Sequence, residues 1–173
     1  MADPLPHAWH LAVLSGQAPS WGIIEHMRRF VCGDIHGAHR ALQQVLARSK
    51  FDYDNDQLIC LGDICDGWPE TKGCVDELLK IKHLIVIQGN HDRWCLDWMN
   101  TGTPHDIWLY QGGIQTMKSY NDPANNKSPN IPTPHILFFN QMVPYHIMDQ
   151  LCFVHGGFKL DQPLHKQHHD TLC

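Results

Sequence analysis

The chain has 173 residues, 43% of them hydrophobic, with 13 Lys and Arg against 18 Asp and Glu and a net charge of −5. That balance fits one globular domain and excludes a wholly disordered chain. It gives no electrostatic reason to expect nucleic acid as a partner.

Residues 1–26 carry scattered Pro, Trp and His without sustained periodicity. We expect them to be an N-terminal extension, disordered or arising from an upstream start codon, with the folded domain over 27–173. The alternative is a short packed helix over residues 8–15. No basic segment precedes an apolar run here, so no signal peptide is expected. No stretch approaches the ~18 apolar residues of a membrane span, so no membrane partner is expected either. From Arg29 the pattern alternates. Phe30 to Cys32 reads as a strand, and Ala38, Ala41, Leu42, Val45 and Leu46 recur at helical spacing over 38–49. Asp52 to Asp56 is a polar turn before a second strand, Gln57 to Leu61. Pro69 suits the first turn of a helix whose buried stripe is Val75, Leu78 and Leu79. His83 to Ile87 is a third strand, and Cys95, Trp98 and Met99 mark a third helix. Residues 105–120 read as helical around Trp108 and Met117, broken by Gly112-Gly113. Residues 121–134 read as a loop rich in Asn and Pro, and 136–142 as a short helix. Pro144 to Met148 and Leu151 to Val154 flank Asp149-Gln150 as a hairpin. Strands alternating with helices imply an α/β sheet with parallel crossovers.

Four blocks carry the chemistry: Gly33-Asp34-Ile35-His36-Gly37, Gly62-Asp63-Ile64-Cys65-Asp66, Gly89-Asn90-His91-Asp92 and His155-Gly156-Gly157. Each puts Asp, Asn or His beside a strand, and open α/β sheets bind ligands beyond the carboxyl ends of their strands. The glycines permit the tight bends that bring such side chains together. The donors are carboxylates, an amide and imidazoles, a mixed set that suits Mn, Fe or Zn better than Ca. Two ions ~3.5–4 Å apart need a bridging carboxylate, and such a pair polarises a phosphoryl group and generates hydroxide at neutral pH. The chain holds 14 histidines, the side chain most used by transition metals. The seven cysteines form no Cys-x-x-Cys pair. A disulfide framework is therefore not expected, and a reducing cytoplasm is.

Gly33-Asp34-x-His36-Gly37, Gly62-Asp63-x-x-Asp66 and Gly89-Asn90-His91-Asp92 resemble the signature of the phosphoprotein phosphatase branch of the calcineurin-like metallophosphoesterases. That branch includes bacterial and phage serine/threonine protein phosphatases and symmetrical bis(5'-nucleosyl)-tetraphosphatases. The resemblance covers about residues 28–172. It implies a four-layer α/β/β/α sandwich and a hydrolase with two divalent metal ions, manganese first, then iron or zinc. It assigns Asp34 and His36 to the first metal, Asp63 to both, and Asn90 and His155 to the second. It makes His91 the proton donor to the leaving oxygen, oriented by Asp66, with a metal-bridging hydroxide attacking in line.

Two departures from the family pattern stand out. The Arg that usually follows the Asp66 position is replaced by Gly67, in an Asp66-Gly67-Trp68-Pro69 run that resembles a bacterial or phage subgroup. Arg93 is the candidate to hold the substrate phosphate in its place. The family also carries a further metal-binding His on a later strand, whereas this chain ends at Cys173. We therefore expect a C-terminally incomplete domain lacking its last strands, with His165, His168 and His169 as remaining ligand candidates. The expected substrate is a phosphoprotein or small phosphoester. The competing readings are a catalytically inactive fragment that binds phospho-ligands, and a symmetrical dinucleoside tetraphosphatase or phosphodiesterase. In the latter, Trp68, Trp94, Trp98 and Trp108 offer stacking surfaces for a base.

Overall fold

A computed structural model describes the backbone of residues 11–14 and the structure of residues 27–120 and 130–173. Four strands form one sheet in the order β1 (Leu11–Leu14), β2 (Arg29–Cys32), β3 (Gln57–Cys60) and β4 (His83–Val86). β1 runs antiparallel to β2, whereas β2, β3 and β4 are parallel. Parallel neighbours need crossovers. These are α1 (His39–Arg48) and α2 (Thr71–Leu78), and α3 (Asn90–Thr101) leaves the end of β4.

Four residues of the expected N-terminal extension are thus a sheet strand, which corrects that expectation at Leu11–Leu14. They are not helical, as the alternative for residues 8–15 required. The physical reason is that β2 would otherwise present an open edge, and an apolar Leu-Ala-Val-Leu segment pairs with it. The rest of residues 1–26 lies outside the described residues.

Side-chain alternation places the core. Phe30, Leu58, Cys60 and Val86 face one side of the sheet, where they meet Leu42 and Leu46 of α1, Val75 and Leu78 of α2, and Cys95 and Trp98 of α3. Each such fully buried side chain contributes roughly 1.5–3 kcal/mol of transfer free energy. Ile59 and Ile87 point the other way and pack on Phe153. Phe153 belongs to a two-stranded antiparallel sheet, β5 (His146–Met148) and β6 (Leu151–Phe153). Asp149 and Gln150 between them both have positive φ, as a tight hairpin turn requires. Helices, main sheet and second sheet therefore stack in that order. Ile147 and Leu151 leave the outer side of the hairpin exposed, where the expected sandwich has its fourth layer.

Three local expectations shift. Leu79 is exposed because α2 ends at Leu78; Thr71 and Cys74 are buried beside Val75 and Leu78 instead. The 105–120 segment divides into α4 (Asp106–Trp108), a kink over Leu109–Gly113 where Gln111 and Gly112 leave helical φ/ψ, and α5 (Ile114–Tyr120), with Gly112 at φ +109°. Helix α6 (Thr133–Asn140) starts earlier than expected, inside the predicted loop, with Pro134 in its first turn where a missing N–H is harmless. The remainder of that loop, residues 121–129, lies outside the described residues.

Candidate metal centre and proton-delivery pair

Cys32, Cys60 and Val86 lie side by side at the ends of their strands, so the segments after them share one edge of the sheet. The turns there are tied together by backbone. Ile35 and His36 N–H donate to the Asp63 carbonyl at 3.0 and 2.8 Å, Gly37 N–H to Ile64 at 2.8 Å, and Trp68 N–H to His36 at 2.8 Å. His36, Asp63 and Asp66 adopt φ of +47°, +50° and +75°. Left-handed non-glycine residues cost of order 1–3 kcal/mol each, and such strain clusters where a site must aim its side chains. Gly89 has an ordinary φ of −89°, yet no other residue fits there. A Cβ on it would collide with Oδ1 of Asp63 and sit 2.8 Å from the Asp63 nitrogen.

The side chains converge on Asp63. Its Oδ2 lies 3.7 Å from Nε2 of His36 and 3.4 Å from Nε2 of His155. Ligand atoms of Asp34, His36 and Asp63 all fall within 4.8 Å of one another. Nδ1 of His36 is 3.0 Å from the Cys65 carbonyl, and Nδ1 of His155 is 2.8 Å from the Leu61 carbonyl. A carbonyl only accepts, so each Nδ1 carries the proton and each Nε2 is turned toward the carboxylates. Burial lowers the basicity of His155, but the hydrogen bond and charge of Asp63, the Leu61 carbonyl and Asp34 overcome it and push it up to about 9. Asp63 is the mirror case: burial raises it, and His155, His91 and His36 bring it below the usual carboxylate range. Asp34 is looser, with its side chain 53% exposed and its nearest imidazole nitrogens 4.0 Å away. Asn90 opens α3, whose first turn is tied to Asp63 by the His91 N–H donating to Oδ1 at 3.2 Å.

This donor set fits hard or borderline divalent ions. It offers carboxylate oxygens and two imidazoles with Nε2 facing inward, with Asn90 next to it at the start of α3. Thiolates do not compete: burial, the largest cause, pushes the Cys60 and Cys65 thiols well above their usual range and that of Cys95 up as well.

Beside this cluster stands His91, its ring edge-on to His36 at 5.1 Å and to Trp94 at 5.3 Å. Its Nδ1 is 2.7 Å from Oδ2 of Asp66. Burial lowers its pKa, but the bond to Asp66 and the charges of Asp63, Asp66 and Asp92 produce a net rise, favouring the imidazolium. Asp66 is fully buried and accepts further bonds from Nε1 of Trp108 at 2.6 Å and Oγ1 of Thr116 at 2.7 Å. Asp92, also fully buried, accepts the N–H groups of Asp63, Ile64 and Gly89 at 2.7, 2.8 and 3.0 Å. Burial and the charge of Asp63 raise it, to about 7, against those three donors. It clamps the Asp63 turn to the start of α3. In the sequence, the signal for this role is that Asp92 is the third residue of a helix that opens at Asn90. Trp108 and Thr116 were not singled out as partners of Asp66.

Arg93 is exposed and donates to Oδ1 of Asp170 and to Nδ1 of His169, both at 3.1 Å. Asp170 and His169 belong to α7 (His169–Leu172), which closes on the His155 turn. There the Gly156 and Gly157 N–H groups donate to Leu172 and Thr171 at 2.7 and 3.1 Å. Nε2 of His169 pairs with Gln88 at 2.8 Å, His168 contacts its own helix start, and His165 is exposed. The structure brings none of the three into the Asp34–His36–Asp63 group. Of the tryptophans expected as stacking surfaces, Trp98 and Trp108 are buried core residues, Trp94 is half-buried and Trp68 is exposed.

Comparison with known proteins supplies the family. Residues 27–172 match the calcineurin-like phosphoesterase family. Over 84 residues the chain is 34% identical to serine/threonine-protein phosphatase 1 of Salmonella typhimurium, covering 49% of this chain and 38% of that protein. Over 67 residues it is 30% identical to the symmetrical bis(5'-nucleosyl)-tetraphosphatase of Coxiella burnetii, covering 39% of this chain and 23% of that protein. The chain thus spans well under half the length of these curated relatives. The solved metallophosphoesterase from Sphaerobacter thermophilus shares the fold, with a TM-score of 0.53, 23% identity, and coverage of 76% of this chain and 47% of that one.

Proposed function

This chain belongs to the calcineurin-like phosphoesterase family, and on that premise we propose that it hydrolyses phosphoesters with two divalent metal ions, manganese first. The observation that carries the proposal is the pairing of two sites at one sheet edge. Asp63 lies between two imidazoles at 3.7 and 3.4 Å, and the His91–Asp66 pair stands beside it. Asp34, His36, Asp63, Asn90 and His155 would hold the ions, with Asp63 shared. When bound, the ions supply Lewis acidity toward a phosphoryl oxygen and ionise water near neutral pH. His91, with Nδ1 held by Asp66, has Nε2 left to protonate the leaving oxygen. Asp66 keeps that ring oriented and stabilises its charged form.

We assign phosphomonoesters, phosphoproteins among them, as the substrate class, with Arg93 as the cation that meets the phosphate. Engaging it means trading an exposed ion pair with Asp170, worth only ~0.2–1 kcal/mol. The seven free cysteines suit a reducing cytoplasm. A dinucleoside polyphosphate is the second reading. It is favoured by the exposed Trp68 beside Gly67, where no guanidinium stands.

The test is turnover of 4-nitrophenyl phosphate by the 173-residue chain with Mn²⁺. We expect hydrolysis that is lost in Asp63→Asn, whereas His91→Asn should lose far more of its rate on a phosphoserine peptide than on this good leaving group. No turnover, with no manganese retained by the chain, would leave only the phospho-ligand-binding reading.

A further inference from the structure

We infer that Trp108 and Thr116 are positioning residues for proton delivery: together they fix the buried Asp66 carboxylate that aims His91. This inference rests on the proposed role of His91 as proton donor.

Proton counting makes the arrangement one-directional. Oδ2 of Asp66 receives Nε1–H of Trp108 at 2.6 Å and faces Nδ1 of His91 at 2.7 Å. An indole nitrogen only donates, so that oxygen is an acceptor. The Thr116 hydroxyl has one proton, given to Oδ1 at 2.7 Å, while its oxygen accepts the Asp66 N–H at 2.8 Å. Oγ1 of Thr71, 2.9 Å away, then donates to Thr116. Every proton points inward to a carboxylate that is 0% exposed. The carboxylate can therefore only accept from His91, which places the His91 proton on Nδ1 and leaves Nε2 free of it. Charge-assisted bonds of this kind are the stronger ones, and in a dry interior they hold their geometry.

The polypeptide is shaped to bring these two donors together. Trp108 closes α4 and Thr116 lies in α5. In an unbroken α-helix, residues eight apart would stand about 80° apart around the axis. The kink at Gln111-Gly112 breaks that register. Its two glycines have separate jobs. Gly112 has φ +109° and lies so near Gly67 that a Cβ would be 2.8 Å from the Gly67 nitrogen. A Cβ on Gly113 would collide with the Trp108 indole. Gly112-Gly113 thus lets the segment wrap against the Asp66–Gly67 turn. A tryptophan needed for bulk alone would not require its N–H to meet the one carboxylate that holds His91.

Trp108→Phe keeps most of the ring and removes the N–H; Thr116→Val keeps the shape and removes the hydroxyl. Proton delivery matters for a poor leaving group and little for a good one. With Mn²⁺, each variant should lose about 10–100-fold in kcat on a phosphoserine peptide, with KM unchanged. On 4-nitrophenyl phosphate the same variants should change far less, and Thr116→Ser should restore the peptide rate. Equal losses on both substrates, or no loss on either, would overturn the inference. His91→Asn in the same series separates the two claims: if it too shows no leaving-group discrimination, the reading of His91 fails. A readout without turnover is proton NMR of the metal-free protein. The low-field Nδ1–H resonance of His91 should be present in the wild type and exchange-broadened in Trp108→Phe and Thr116→Val. An unchanged resonance in both variants would also overturn the inference.

Discussion

Asp34 and Asp66 each lie a few residues beyond a parallel strand, and the molecule treats them in opposite ways. Asp66 is fully buried and its two oxygens meet Trp108, Thr116 and His91 at 2.6–2.7 Å. Asp34 is half exposed, with its nearest imidazole nitrogens at 4.0 Å. A group that must orient a proton donor gains from being fixed before substrate arrives. A group that must close around an ion cannot have its lone pairs already engaged. In the proposed mechanism the site is therefore rigid on the side assigned to proton delivery and open on the side assigned to the metals, with Asp63 and the clamp of Asp92 between them.

The largest expected effect separates the two aspartates directly. Asp66→Asn places an NH₂ among donors and removes the orienting charge. It should lower kcat about 10²–10⁴-fold and destabilise by about 1–3 kcal/mol in urea unfolding. Asp34→Asn should leave stability within about 0.5 kcal/mol, its loss appearing as weaker manganese binding in calorimetry. Equal destabilisation by both would erase the contrast. Next in size, Gly89→Ala drives a methyl group into the Asp63 carboxylate and should cost about 1–3 kcal/mol by thermal or urea unfolding, with manganese binding weakened.

A smaller effect comes through pH and the far end of the buttress. Tyr120, which ends α5, meets Nδ1 of buried His135 at 2.9 Å, and Nε2 of His135 meets Asp76 at 3.0 Å. Burial, the largest cause, and Lys72 lower the His135 pKa against the pull of Asp76. Its folded value thus lies below the unfolded 6.5, and the unfolded chain binds the extra proton first. This contribution is present above pH 6.5 and should be lost as pH falls through the folded value. Urea midpoints should decline across that window, and His135→Gln should flatten the slope. The smallest effect is Arg93→Ala, which removes an exposed pair worth ~0.2–1 kcal/mol. It should raise KM for phosphomonoesters with kcat largely kept; an unchanged KM would remove Arg93 from the phosphate site.

What could be read from the sequence divides along the same line. Strand-end blocks announce themselves locally, because a short apolar run followed by Gly-Asp or Gly-Asn needs no distant partner to be recognised. The structure accordingly gathers Asp34, His36, Asp63 and His155, which two parallel strands and a hairpin deliver to one place. The buttress was not legible, since Trp108 and Thr116 lie 42 and 50 residues from Asp66. Gly112-Gly113 reads as a helix breaker until its closeness to Gly67 and Trp108 is seen. The pairing of Arg93 with Asp170 was hidden for the same reason, lying 77 residues apart. β1 was missed because four apolar residues in a Pro-rich leader show no period of their own and become a strand by pairing with β2.

The division of the site is tested most directly by Mn²⁺ binding calorimetry on His91→Asn and Asp63→Asn, read beside turnover of a phosphoserine peptide. The account predicts that His91→Asn binds manganese as the wild type does while hydrolysing poorly, and that Asp63→Asn loses both. Loss of manganese binding in His91→Asn, or its retention in Asp63→Asn, would contradict it.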